Sequence, residues 1–336
     1  MRTANTAHAP ARSLSGAHSS KDSAKHYCTE ELMPAFEHPN SMNADAQDAK
    51  PKQRKRWPRR LAIGLVILLV LCVGGFALYV SDYYHASETD AYLPANAALS
   101  VAESDSFIAI GASNGTAVAA DEATEHQDTS TSQLSAETGI VFYPGAKIDP
   151  HAYVPLAVNL AERGMLCVIV KAPFNLAFFS IDAAADIMDE YPEVDTWWVG
   201  GHSLGGVAAS QFAANHADAL EGVILLASYS ASDLSSTDLR VLQAYGTEDL
   251  VLNHESMEKN AGNLPDTATT LVIEGGNHAG FGDYGPQAGD GEAAISAEDQ
   301  QEETANAIKA FVAPDANSAF EGSQLPQAKE FELAAA

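Results

Sequence analysis

Two kinds of apolar pattern divide the chain. Residues 61–80 read LAIGLVILLVLCVGGFALYV, twenty positions without a charge. As an α-helix they would extend about 30 Å, the thickness of a hydrocarbon core, which predicts a membrane-spanning helix. A core helix would need apolar partners on every side, and a cleaved signal carries a shorter apolar run near the start of the chain. From Gly139 onward the apolar positions come in short runs instead: GIVFYP, MLCVIV, TWWVGG, GVILLAS, LRVLQAYG and TTLVIEGG. Between and after them the pattern predicts helices over residues 150–163, 179–190, 204–216, 254–261 and 298–312. Strands apolar on both faces, alternating with helices, imply an α/β fold with a mostly parallel sheet covered by helices on both faces. Ahead of these, ALSVAE, SFIAIGA and GTAVAA predict two or three antiparallel strands. The acidic, Ser/Thr-rich stretch 121–137 predicts an exposed loop.

Charge adds an orientation. Residues 1–60 hold 11 Lys/Arg against 6 Asp/Glu, and residues 61–336 hold 7 against 39. KQRKRWPRR immediately precedes the apolar run, and the first charge after it is Asp82. The basic flank predicts a single-pass protein of the cell membrane, with the N-terminus cytoplasmic and everything after Val80 outside. Trp57, Tyr79, Tyr83 and Tyr84 fall where interfacial aromatics anchor a span. The chain then divides into a disordered cytoplasmic tail with its basic flank (1–60), the span (61–80), a linker (81–97), a folded domain (98–313) and a disordered tail (314–336). An acidic exterior domain excludes nucleic acid as a partner, because phosphates need basic groups. Cys28, Cys72 and Cys167 fall in the tail, the bilayer and a strand, so no intramolecular disulfide is expected.

The chemistry centres on GHSLG at 201–205, a G-x-S-x-G pattern between an apolar strand and an Ala-rich helix. A sharp strand-to-helix turn presents a serine hydroxyl above the sheet edge and points the backbone N–H of Leu204 toward a developing oxyanion. A serine needs a base, and the carboxyl ends of later strands are where one belongs. LRVLQAYG is followed by Glu248 and Asp249, and TTLVIEGG by His278. The order Ser203, Asp249, His278 suits a nucleophile, an orienting acid and a general base. Glu248 could replace Asp249; His254 opens a helix, and His202 suits packing. FYPGAK places Gly145 and Ala146 in a turn after the first parallel strand, which offers the Ala146 N–H as second oxyanion donor. Lys147 suits a solvated surface position.

GIVFYPG, GGHSLGG, YGTEDLV and GGNHAGFGDYG together make residues 139–312 resemble the α/β-hydrolase fold, in its dienelactone-hydrolase-like, fold-5 branch. The resemblance implies Ser203 as nucleophile, His278 as base, Asp249 as its partner, and Leu204 with Ala146 as oxyanion donors. Many relatives carry His-Gly at the oxyanion loop where this chain has Pro144-Gly145, and the nucleophile in dienelactone hydrolases is often Cys, so lactone chemistry is not implied. The expected reaction is hydrolysis of a small carboxylic ester through an acyl-enzyme, with no metal or organic cofactor. Asp283, Asp290 and Glu292 do not fall at the alternating positions of a calcium loop. Only about a dozen residues separate Ala227 from Leu239, too few for a large cap, which predicts an open site suited to short or medium acyl groups.

Overall fold

The computed structural model describes residues 57–87, 98–113 and 134–312. Residues 1–56 of the expected N-terminal tail, the expected C-terminal tail, the GTAVAA strand, residues 121–133 of the acidic loop and residues 88–97 of the linker lie outside the described residues; residues 57–60, assigned to the tail, are already helical. Helix α1 (Trp57–Ser81) contains the apolar run. Its Arg59–Ser81 stretch is long and apolar enough to cross a bilayer, and its most apolar window is not buried against protein.

The domain is built on one sheet. Its strands are β1 (Leu99–Glu103), β2 (Phe107–Ser113), β3 (Leu134–Ser135), β4 (Thr138–Tyr143), β5 (Met165–Val170), β6 (Thr196–His202), β7 (Gly222–Leu226), β8 (Arg240–Gly246) and β9 (Thr269–Ile273). They lie in the order β1-β2-β5-β4-β6-β7-β8-β9, with β3 paired to β2. β2 is antiparallel to its neighbours, whereas β4 through β9 run parallel. Helices α2 (Val154–Glu162), α3 (Ala183–Glu190), α4 (Leu204–Asn215), α5 (His254–Lys259) and α6 (Ala297–Val312) follow the parallel strands. Successive side chains of a strand point to opposite faces. Ile140 and Phe142 accordingly join a core with α2 and α6, while Val141 and Tyr143 join a second core with α3 and α4. This double burial is why the parallel strands read as continuous apolar runs.

The structure departs from the sequence pattern in three places that matter for the site. Residues 150–153 form a 3₁₀ turn, and α2 begins only at Val154. Pro155 has no N–H and is tolerated only in the first turn of a helix, so the start is displaced. Residues 173–179 form two short 3₁₀ turns, and α3 begins at Ala183. The first part of the expected linker is docked. Tyr84 forms a parallel bridge with Ile148, donates its N–H to Lys147 O (2.7 Å) and accepts from Asp149 N–H (2.8 Å). Its ring lies 5.5 Å from that of Tyr284, and Ser87 N–H donates to Asp283 O at 2.8 Å. Cys72 is exposed on α1 and Cys167 is buried in β5, both as free thiols.

Candidate active site

β6 ends at His202 and α4 starts at Leu204, leaving Ser203 alone to make the turn. Its backbone has φ 53° and ψ −122°, a conformation that costs a residue with a Cβ about 1–3 kcal/mol and persists only where the surroundings enforce it. Three hydrogen bonds do so here. Ser203 N–H donates to Leu226 O (2.9 Å), and Ser203 O accepts from Gly206 N–H (3.1 Å) and from Ser228 Oγ (2.7 Å). The turn also demands close backbone approach. A Cβ on Gly205 would collide with the carbonyl oxygens of Tyr143 and Pro144, and one on Gly201 with the Gly205 backbone. A serine at the start of a helix commonly caps it through its hydroxyl, but Ser203 makes no such bond, which leaves Oγ uncommitted to the helix.

Asp249 and His278 meet each other beside His202, and no hydrogen bond joins His278 to Ser203 among the described residues. Nδ1 of His278 lies 3.0 Å from Oδ2 and 3.1 Å from Oδ1 of Asp249, and both residues are buried. Oδ1 of Asp249 also accepts the N–H groups of Val251 (3.0 Å) and Leu252 (2.8 Å), which fix its rotamer. The Nε2 edge of His278 is buried and has no hydrogen-bond partner among the described residues. The His278 ring lies 4.5 Å from that of His202, the residue before Ser203. Glu248 instead faces Thr247 at the surface, and His254 opens α5 with Nε2 3.4 Å from Asp249 O. Of the two carboxylates considered, Asp249 is therefore the one that reaches His278.

In the turn after β4, neighbouring donors are already taken. Gly145 N–H donates to Tyr153 Oη (3.0 Å) and Lys147 N–H to Asn175 O (2.8 Å), while Ala146 N–H makes no hydrogen bond among the described residues. Leu204 N–H occupies the first position of α4, where no intrahelical acceptor exists. Lys147 is not solvated as expected. Its Nζ lies 3.4 Å from the Asp82 carboxylate and 4.6 Å from the centre of the Tyr79 ring.

His202 packs as expected, whereas the sequence assigned neither Asp290 nor Gln300 a role beside His278. His202 is completely buried, and its Nδ1 lies 2.8 Å from Tyr153 Oη. Burial, with the neighbouring His278, holds its imidazole well below the usual range and keeps it neutral. The Asp290 carboxylate accepts from the N–H groups of His278 (3.3 Å), Ala279 (2.9 Å) and Gly291 (2.9 Å), so a residue that superficially suggests a cation loop serves to hold the histidine loop. Gln300, buried on α6, grips the same loop: Oε1 accepts from Asn277 N–H (3.0 Å) and Nε2 donates to Asn277 O (2.8 Å). The available signal was a polar pair, Gln300 and Thr304, on the helix stripe that continues through Ile308 and Phe311.

Strain marks the same edge of the sheet. Among the described residues, the non-glycine positions with positive φ are Lys147, Phe174, Asn175, Ser203 and Ala227, which follow β4, β5, β6 and β7. All lie beyond the carboxyl ends of parallel strands, where α/β proteins place their ligands.

Residues 139–302 match the model of the alpha/beta hydrolase family. This segment belongs to that family. The α/β-hydrolase domain is also similar to solved structures. One is Est1E from Butyrivibrio proteoclasticus, at 14% identity and TM-score 0.43, covering 64% of this chain and 98% of that one. Another is a dienelactone hydrolase from Anabaena variabilis, at 14% identity and TM-score 0.43, covering 61% and 89%. No curated protein matches the chain in sequence.

Proposed function

We propose that this alpha/beta hydrolase is a serine esterase that cleaves small carboxylic esters through a Ser203–His278–Asp249 triad, tethered by α1 with its domain outside the cytoplasm. The contact between Asp249 and His278 carries the reading. A buried carboxylate at Nδ1 selects the tautomer whose Nε2 is free to accept a proton, and that nitrogen is the one left without a partner. Ser203 Oγ attacks the ester carbonyl while His278 Nε2 takes its proton. Asp249 steadies the resulting imidazolium, and the N–H groups of Leu204 and Ala146 stabilise the oxyanion, each by about 3 kcal/mol in sites of this kind. His278 then protonates the departing alcohol, and water releases the acid by the same route in reverse order. The scheme uses no metal or organic cofactor. The basic flank at 52–60 supports the orientation.

Detergent-solubilised full-length protein should hydrolyse short p-nitrophenyl esters and take up a fluorophosphonate label. Ser203→Ala should lower turnover by about four to six orders of magnitude. His278→Ala should abolish labelling. Equal rates in the parent and Ser203→Ala would reject the enzymatic reading in favour of a binding module on the same fold. Thiol labelling of a cysteine placed at Ser232 should succeed in intact cells; labelling only after lysis reverses the orientation.

A further inference from the structure

The loop at 173–179 exposes Phe174, Phe178 and Phe179, with 51%, 41% and 57% of their surface accessible. Single exposed apolar residues are ordinary, but three large ones on one short loop mark a surface that meets something apolar. Their neighbour in the structure is α1. The Phe174 ring lies 5.8 Å from Phe179 and 5.3 Å, edge-on, from Phe76. Phe76 precedes the end of α1 at Ser81 by about 7 Å of helix rise and is still inside the apolar run. The loop therefore reaches the apolar stretch of α1 and not only the polar segment that follows it.

The loop is also held in place. Phe174 and Asn175 both have φ in the left-handed region (61° and 53°), and Asn175 O accepts Lys147 N–H at 2.8 Å. Lys147 in turn is tied to Tyr79 and Asp82 at the end of α1. Phe178 and Phe179 border a cleft of about 400 Å³ that also contains Asp182 and Asp186. Two carboxylates beside aromatic rings disfavour anionic lipid headgroups and suit the cationic end of a phosphatidylcholine.

We propose that the 173–179 loop is a bilayer contact: Phe174, Phe178 and Phe179 enter a zwitterionic outer leaflet beside α1 and hold the mouth of the site at the lipid–water boundary. The inference rests on α1 spanning the membrane. It adds that the domain lies against the surface instead of standing away from it, so that esters dissolved in or concentrated at that surface reach Ser203. A fixed loop makes the contact, with no mobile cover required.

The test uses the full chain in phosphatidylcholine vesicles, with an environment-sensitive fluorophore on single cysteines and nitroxide-bearing phosphatidylcholine as quencher. Cys167 stays silent because burial pushes its thiol up to about 12. In a Cys28→Ser/Cys72→Ser background, a probe at Phe178→Cys, and independently at Phe179→Cys, should lose about half of its emission, as expected for side chains about 5–10 Å into the interface. A probe at Asp266→Cys, exposed before the amino end of β9, should lose almost none. A Cys28→Ser chain labelled at native Cys72 reports on the span separately. Strong quenching at Cys72 with none at 178 and 179 overturns the contact and leaves the anchor standing; no quenching at Cys72 overturns both. Protection of 178 and 179 from aqueous iodide without lipid quenching assigns the loop to a second copy or another protein, and also overturns the proposal.

Discussion

At Ser203 the backbone angles penalise any Cβ, so the usual ranking of glycine below alanine should reverse. Ser203→Gly should be at least as stable as Ser203→Ala, with a difference of about 1 kcal/mol in its favour read from thermal unfolding of the full chain in detergent. The opposite order would mean that the turn is unstrained. His202 makes a pH-dependent contribution of definite sign. Its imidazole is neutral in the fold, whereas in the unfolded chain it binds a proton near the ordinary value of 6.5. Unfolding therefore takes up a proton below that pH. The stability linked to His202 is fully present above about pH 6.5 and is lost as pH falls. Between pH 8 and 5 the unfolding midpoint of the parent should decline more steeply than that of His202→Asn, by the uptake of about one proton. The G-x-S-x-G pattern made Ser203 legible, because a strand, a serine and a helix in immediate succession leave only one backbone solution. It did not reveal that the adjacent histidine is fixed by Tyr153, since that pairing spans 49 positions.

The elements around the site hold it through side chains that mimic backbone. Gln300 on α6 satisfies both the N–H and the C=O of Asn277, next to His278. Gln300→Ala should leave both part-buried groups without their partner and lower stability by about 1–3 kcal/mol. At a temperature where the variant remains folded, its turnover should fall while KM changes little, because His278, the proposed base, is displaced and the substrate pocket is not. Unchanged turnover would show that Asp290 alone suffices to hold the loop. The parallel strands were readable because burial on both faces makes nearly all of their positions apolar. β3 was not: it has two residues, Leu134 and Ser135, and sits in a stretch whose composition reads as loop. The helix over 150–163 was read as continuous, although Pro155 divides it into a 3₁₀ turn and α2. Gln300 was hidden because amphipathic pattern alone cannot tell a buried clamp from a polar flank.

For the whole molecule, the imbalance of 7 basic against 39 acidic residues after position 60 surrounds the domain with a negative field. Raising ionic strength from about 0.01 to 0.15 M shortens the screening distance from about 30 to 8 Å. Hydrolysis of anionic esters should then accelerate several-fold in kcat/KM, with neutral esters little affected. Equal salt responses would show that the local potential at the site is not set by the domain as a whole. Composition carried this property openly. It did not carry the place where the folded unit begins, because a tyrosine just after an apolar run reads equally well as an interfacial anchor. Tyr84 pairs with Ile148 and lies tilted against the ring of Tyr284, both of which are buried. Anyone preparing a water-soluble version should therefore start at Ser81; trimming to Ala91, as the polar composition invites, would remove the Tyr84 bridge and leave Ile148 bare in the turn after β4.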